Sequence, residues 1–199
     1  PSTGIVSPYS LTIALAENAR ENGADFFFGH GIKTARKTGD FFEMTTDAGR
    51  TISARIVITC AGVHSADTAA LFGAAGYRIY PCRGEYYVLD KRRGDALSML
   101  VYPVPHAHGS GLGVHLTKTV DGNILIGPSN EYIGTGEDYA ATADIMSLLR
   151  HEAHELLPEL SLSDFIRSFS GVRAKQTPPE KGGFADFVIE DSSVAGLIN

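Results

Sequence analysis

The chain has little cysteine and no concentrated positive charge, and both absences narrow its possible classes. Its 199 residues include two cysteines, Cys60 and Cys82, and neither lies in a CxxC pair, which argues against a disulfide framework or a zinc site. The formal net charge is -6 and no lysine or arginine run stands out, so nucleic-acid or anionic-membrane binding has no electrostatic support. The longest apolar run, residues 56–63, is far too short to span a bilayer, and no signal peptide is visible.

From these absences we expect no metal, no nucleic-acid partner, no membrane span and a cytoplasmic location.

The two ends of the sequence indicate a piece of a longer protein. It begins at Pro1 without a methionine and stops at Asn199, directly after an apolar run at 194–198 that has the pattern of a strand. We therefore expect parts of any active site to lie outside this sequence, and a peripheral membrane attachment through those parts stays open.

The pattern of apolar residues predicts a mixed α/β (α+β) fold with a boundary near Gly76. Ser7-Pro8 is typical of a helix start and Asn22-Gly23 of a helix end, and a second long helix is predicted over 143–157. A short buried strand is predicted at 25–28, and a polar meander follows it. The other predicted strands are 32–37, 41–46, 51–53, 54–59, 78–89, 99–104 and 164–173.

A histidine on a predicted hairpin is the first candidate for chemistry. His115 lies in the apolar run 113–116, and a turn at 120–123 leads to a second apolar strand at 124–126. An imidazole has an unperturbed pKa near ~6.5 and can transfer a proton near neutral pH. The alternative is a half-buried strand histidine satisfied by a backbone partner, which the residues alone favour.

Two arginines and a tyrosine pair are the candidates for substrate binding. Arg83 and Arg173 each lie near a glycine at a strand end, and a guanidinium can pair bidentately with a carboxylate. The alternative for each is a surface salt bridge. Tyr86 and Tyr87 face opposite ways on a strand, so only one can contact a substrate, and we assign Tyr87.

The run 55–62 ends a predicted buried strand in small residues. Cys60, Ala61 and Gly62 there let a backbone approach a flat or phosphorylated ligand closely. The alternative is a core strand with a tight turn, which spacing alone favours.

Several of these segments resemble the FAD-dependent oxidoreductases of the D-amino-acid-oxidase (DAO) superfamily. The resemblance covers nearly all of the chain and looks most like the L-2-hydroxyglutarate oxidase/dehydrogenase and glycerol-3-phosphate dehydrogenase-like branches. The segments that carry it are Gly-Ile-Val-Ser-Pro-Tyr (4–9), Ile-Val-Ile-Thr-Cys-Ala-Gly (56–62), Pro-Cys-Arg-Gly-Glu-Tyr-Tyr (81–87), Tyr-Pro-Val-Pro (102–105), Gly-Val-His-Leu-Thr (113–117), Asp-Gly (121–122), Gly-Pro-Ser-Asn (127–130) and Phe-Ser-Gly-Val-Arg (169–173).

The resemblance implies a partial FAD-binding domain at 1–76, an antiparallel substrate-binding sheet with covering helices at 77–175, and a return toward the FAD-binding domain at 176–199. It also implies that His115 is a base near the flavin and that the backbone of Ile32 meets the adenine. The family's Gly-rich turn for the FAD pyrophosphate and its later Gly-rich flavin segment are not in the sequence. The Gly-rich stretch 109–113 is no substitute, because it follows no strand and opens no helix. We therefore expect this chain alone to bind FAD weakly or not at all.

The function implied is oxidation of a small 2-hydroxy acid, such as L-2-hydroxyglutarate, by hydride transfer to FAD. Glycerol 3-phosphate and an amine or amino acid are alternative substrates. A non-catalytic binding or scaffold module is the alternative of another class. A small anionic substrate is the expected partner, whereas neither the electron acceptor nor the oligomeric state is predicted.

Overall fold

The computed structural model describes residues 4–104, 113–181, 185–191 and 193–199. In chain order, its helices and strands are α1 (Pro8–Glu21), β1 (Ile32–Thr38), β2 (Phe41–Thr46), β3 (Thr51–Ala54), β4 (Val57–Ile58), α2 (Ser65–Leu71), β5 (Tyr80–Leu89), β6 (His115–Lys118), β7 (Ile124–Gly127), β8 (Glu131–Tyr132), α3 (Ala143–Leu156), β9 (Phe165–Lys175) and β10 (Leu197–Ile198). The mixed α/β class predicted from the sequence is confirmed.

The chain divides into two compact units. The sheet unit comprises Pro1–Ala24 and Cys82–Val172, and the meander unit comprises Asp25–Pro81 and Arg173–Asn199. The predicted boundaries near residues 76 and 175 lie close to these divisions, but the first 24 residues belong to the sheet unit. The functional domains assigned to 1–76, 77–175 and 176–199 stay a prediction.

The meander unit is built on the antiparallel sheet β1-β2-β3 and a parallel pair of β4 with β10. Alternation along β2 buries Phe42 and Met44, and the Phe42 ring packs edge-on against Phe72 with centroids 5.6 Å apart. Leu197 on β10 completes this core. Strand β4 is therefore held by its parallel partner β10, and its Val57 packs against the core of this unit.

The sheet unit has β5 as its central strand. The hairpin β6-β7 pairs with one part of β5, β8 pairs with another part, and β9 also pairs with β5. Helix α3 buries Met146, Leu149 and Ala153 against a core that includes Leu116 and Ile126. Spacing of three to four residues puts the helix side chains on one face, which explains why α3 covers one side of the sheet.

An ion cluster ties the end of β5 to the start of β9. Buried Asp164 accepts a hydrogen bond from Arg93 at 2.9 Å, from the Ser161 amide at 2.8 Å and from Arg92 at 2.8 Å. These donors, Arg93 first, hold the pKa of Asp164 well below its ordinary range. The cluster stabilises the ionised carboxylate and fixes the turn that precedes β9.

The predicted helix ends are confirmed. The Ser7 hydroxyl caps α1 by accepting from the Ser10 amide at 3.2 Å, and Asn22 is the C-cap.

The strand predicted at 25–28 is wrong: these residues form no strand, and Phe28 is 85% exposed. No described strand pairs with them, and an apolar run without a neighbouring strand cannot satisfy its backbone in this way. Of the Gly-rich stretch 109–113, residues 109–112 lie outside the described residues.

Candidate active site

One face of the sheet unit is the core face. Leu116 on β6 lies opposite Ile126 on β7, and Ile126 lies opposite Tyr87 on β5. Directly paired residues project to the same side of a sheet, so these three side chains form one row, and Tyr87 packs against the core beneath α3. The Tyr87 ring also meets Phe165 edge-on, with centroids 4.9 Å apart.

The neighbouring row projects to the other side, which we call the open face. It comprises Tyr102, His115, Gly127, Tyr86 and Phe169. His115 pairs with Gly127, and a Cβ on Gly127 would lie 2.8 Å from the Tyr86 ring. The Tyr86 and Phe169 rings stack with centroids 5.0 Å apart and planes 5° from parallel. Tyr102 and Phe169 are 47% and 40% exposed, so this row is an accessible aromatic surface with one imidazole in it.

His115 is half-buried and makes two contacts. Its Nδ1 lies 3.1 Å from the Gly113 carbonyl oxygen, and its ring stacks on Tyr102 with centroids 4.6 Å apart and planes 30° from parallel. The bridge between Val101 and Leu116 puts Tyr102 across from His115. The backbone partner matches the structural alternative for this histidine, while its place on the open face matches the proton-transfer interpretation, so its role stays a prediction.

Arg83 lies on the core side of the sheet and not on the open face with His115. Alternation along β5 puts it on the face of Tyr87, and its side chain is only 6% exposed. It contacts Glu131 at 2.7 Å, Asp138 at 2.7 Å and Glu85 at 3.4 Å. The hydrogen bond to Glu131, with help from the other two carboxylates, raises the pKa of Arg83. Arg83 is thus a buried ion partner of three carboxylates on the core side, and its role as an anion clamp stays a prediction.

Tyr87 also lies on the core side, and its contact with substrate likewise stays a prediction. Its ring is part of the core, whereas Tyr86 shares the open face with His115. Because the two residues are adjacent on one strand, only their cross-strand partners decide which one faces the core.

Glu85 is a buried carboxylate that sequence reasoning missed. It accepts hydrogen bonds from the Thr142 amide at 2.5 Å and the Thr142 hydroxyl at 3.1 Å. Thr142 is the N-cap of α3, so Glu85 anchors the start of that helix to the central strand. The signal in the sequence was an acidic residue two positions from Arg83 inside an apolar strand, a spacing that puts both on one face.

The remaining predicted residues lie in the meander unit. Arg173 is exposed near the end of β9. Ile32 begins β1, next to an irregularity in its pairing with β2, and its side chain packs against the meander core. The structure thus groups His115 with Tyr86, groups Arg83 with Tyr87, and leaves Arg173 and Ile32 in the other unit.

The turn after β4 has the exposure that a backbone contact with a cofactor needs. Thr59 donates its amide to Ile198 at 2.9 Å, which ends the parallel pairing. Cys60 is exposed, and Gly62 adopts φ +58° with no atom within 4 Å of where a Cβ would stand. Cys60, Ala61 and Gly62 therefore present a reachable backbone and fit the predicted close approach of a ligand.

This turn is braced by a hydrogen-bond chain. The Thr59 hydroxyl donates to the Asn199 side chain at 2.8 Å, and Tyr77 donates to Glu190 in the same unit. The hydrogen bond to Glu190 raises the pKa of the Tyr77 phenol.

Within the described part of the chain, no cluster of three potential metal ligands occurs, and no helix is long and apolar enough to cross a membrane.

Comparison with known proteins gives consistent matches. The sequence model of the DAO family, FAD dependent oxidoreductase, matches residues 1–199. The chain is 32% identical over 197 residues to glycerol 3-phosphate dehydrogenase of Caloramator mitchellensis, with 98% of this chain and 39% of the relative covered. It is 33% identical over 237 residues to mitochondrial L-2-hydroxyglutarate dehydrogenase of Nematostella vectensis, with 96% and 52% covered.

Solved structures show the same fold. L-α-glycerophosphate oxidase from Mycoplasma pneumoniae with FAD bound has a TM-score of 0.77 at 22% identity, covering 94% of this chain and 48% of that one. Glycine oxidase from Geobacillus kaustophilus has a TM-score of 0.71 at 24% identity, covering 94% and 46%. The chain spans about half or less of the length of these relatives.

Proposed function

The chain belongs to the DAO family of FAD-dependent oxidoreductases, and from this premise we propose that the whole protein oxidises a small 2-hydroxy acid such as L-2-hydroxyglutarate to the 2-oxo acid. The observation that carries the proposal is the position of His115, a half-buried imidazole in an accessible aromatic row rather than in the core. Curated relatives of the L-2-hydroxyglutarate dehydrogenase type support the substrate class.

The His115 imidazole takes the hydroxyl proton of the substrate as the O–H and C–H bonds break and a C=O bond forms. FAD, when bound, supplies a hydride acceptor for this reaction. The backbone of Cys60, Ala61 and Gly62 and that of Ile32 are the positions of this chain that would hold it.

Arg173 is the anion clamp of the proposal. A guanidinium pairs bidentately with a carboxylate, and Arg173 is exposed, whereas the side chain of Arg83 is buried. Tyr86 replaces Tyr87 as the aromatic residue on the substrate side.

Arg173→Lys tests the clamp because lysine keeps the positive charge but lacks the paired N–H donors of a guanidinium. We expect KM for the acid to rise about 10- to 100-fold, as the loss of a charged hydrogen bond of ~1.5–3 kcal/mol implies. Arg20→Lys, exposed in the last turn of α1, is the control and should leave KM unchanged. An unchanged KM in Arg173→Lys would remove it from the site.

Glycerol 3-phosphate is the second candidate, supported by a relative that is 32% identical over 98% of the chain. Anaerobic mixing of the full-length protein with L-2-hydroxyglutarate, glycerol 3-phosphate or glycine, followed by flavin absorbance, separates the candidates. We expect the fastest bleaching with L-2-hydroxyglutarate. Bleaching by glycerol 3-phosphate alone would mean that glycerol 3-phosphate, and not a 2-hydroxy acid, is the substrate. Bleaching by glycine alone would indicate amine oxidation, for which no hydroxyl proton has to be removed.

A further inference from the structure

The short segment Tyr102-Pro103 contacts His115 in two ways. Tyr102 stacks directly on the imidazole, with ring centroids 4.6 Å apart. Pro103 lies against Gly113, so closely that a Cβ on Gly113 would come within 2.7 Å of its Cγ atom. Gly113 in turn presents the carbonyl oxygen that lies 3.1 Å from His115 Nδ1. One segment therefore fixes both the plane of the ring and the backbone group beside it.

The backbone of Gly113 depends on its being glycine. Its φ of +73° lies in the left-handed region, which costs little only without a Cβ. This conformation brings the carbonyl oxygen to the ring nitrogen at hydrogen-bond distance.

The chemistry of this contact decides the tautomer. A carbonyl oxygen only accepts hydrogen bonds, so the Nδ1 atom facing it must carry the proton. A neutral imidazole has one N–H, which leaves the lone pair on Nε2, the ring nitrogen farther from the strand backbone.

We infer that Tyr102 and Gly113 are positioning residues that hold His115 as the Nδ1–H tautomer, with Nε2 as the basic nitrogen. The inference rests on the proposed function for its catalytic consequence, because a base must offer its lone pair to the substrate hydroxyl. The tautomer itself is a property of the folded protein and can be measured without turnover. Stacking on Tyr102 restricts rotation of the ring, and the Gly113 carbonyl favours a proton on Nδ1.

The test is NMR of the full-length protein labelled with ¹⁵N in its histidine rings, with the His115 signals assigned from their loss in His115→Gln. We expect the Nδ1–H pattern for neutral His115. Tyr102→Phe keeps the stack and should keep both this pattern and kcat. Tyr102→Leu should populate the second tautomer and lower kcat about 10- to 100-fold, the size of effect expected when a reacting group is misplaced, while KM changes little.

Glycine variants give an independent measurement. Gly113→Ala forces a methyl group onto Pro103, whereas Gly122→Ala has a similar positive φ of +88° and nothing within 4 Å, so it is the matched control. We expect the tautomer to change in Gly113→Ala only. Tyr139→Leu, an exposed tyrosine, controls for loss of an aromatic ring.

The outcomes separate the two hypotheses. An Nε2–H pattern in the wild-type protein overturns the inference whatever the turnover. An unchanged tautomer and kcat in Tyr102→Leu overturns the positioning role of Tyr102. An Nδ1–H pattern together with full turnover in His115→Gln supports the tautomer assignment and removes His115 from the proposed reaction.

Discussion

Replacing Arg83 separates two roles, substrate ligand and internal ion partner. In Arg83→Met, the buried Glu85 loses a cation 3.4 Å away, while Glu131 and Asp138 lose contacts of 2.7 Å. Removing one partner of a buried ion pair costs about 3–5 kcal/mol, because the remaining charge is left unpaired. We expect about 3 kcal/mol, the low end, since Glu131 and Asp138 are partly exposed and water can solvate them.

The assay is thermal unfolding of the full-length protein followed by circular dichroism, together with steady-state kinetics. The expected loss lowers Tm by up to about 6–12 °C, the upper limit set by the ~2–4 °C per kcal/mol of a domain of about 150–250 residues. The double variant Arg83→Met with Glu85→Gln should recover part of the loss, because no unpaired charge then stays buried at position 85. KM should change less than about twofold. An unchanged Tm with a KM raised tenfold or more would refute this reasoning and indicate that Arg83 binds the substrate.

Three further predictions concern the same unit. Because its folded pKa is lowered, Asp164 contributes stability that is fully present above its ordinary pKa of about 4 and is lost as the pH falls below that value toward the folded pKa. Urea unfolding from pH 6 to pH 2 should therefore show Asp164→Asn less stable than wild type at pH 6, with a gap that narrows on acidification; a constant gap would contradict the ionised cluster. Gly127→Ala should lower the free energy of unfolding by about 1–3 kcal/mol, because its methyl group would meet the Glu85 carbonyl oxygen at 2.7 Å. Gly134→Ala has open space and should lower it by less than about 1 kcal/mol in the same unfolding experiment. Leu149→Ala should cost about 2–5 kcal/mol as a buried core residue and its exposed neighbour Leu148→Ala less than about 1 kcal/mol; equal losses would mean that α3 does not pack by this face.

Local signals were enough to predict the two long helices. Ser7-Pro8 and the spacing of apolar residues over 143–157 act within a few residues of each other, so α1 and α3 were predicted nearly to their observed ends. The strand predicted at 25–28 failed because pairing depends on a neighbouring strand, which a local apolar run does not reveal.

The faces of the central strand show the same limit in the candidate site. Alternation alone indicates that Arg83 and Tyr87 share a face and that Tyr86 has the other one. Only the register of Tyr87 with Ile126, and of Ile126 with Leu116, shows that the shared face is the core. Register joins residues some 40 positions apart, and the sequence offers no local sign of it, so the sequence alone does not show that Arg83 and Tyr87 lie on the core side of the sheet.

The most direct test of the central claim is anaerobic single-turnover reduction of the flavin in the full-length protein by L-2-hydroxyglutarate. We predict that His115→Gln reduces this rate by about 10²- to 10⁴-fold, the usual contribution of a general base, while the amount of bound FAD stays at the wild-type level. Flavin reduction at the wild-type rate in His115→Gln would contradict it.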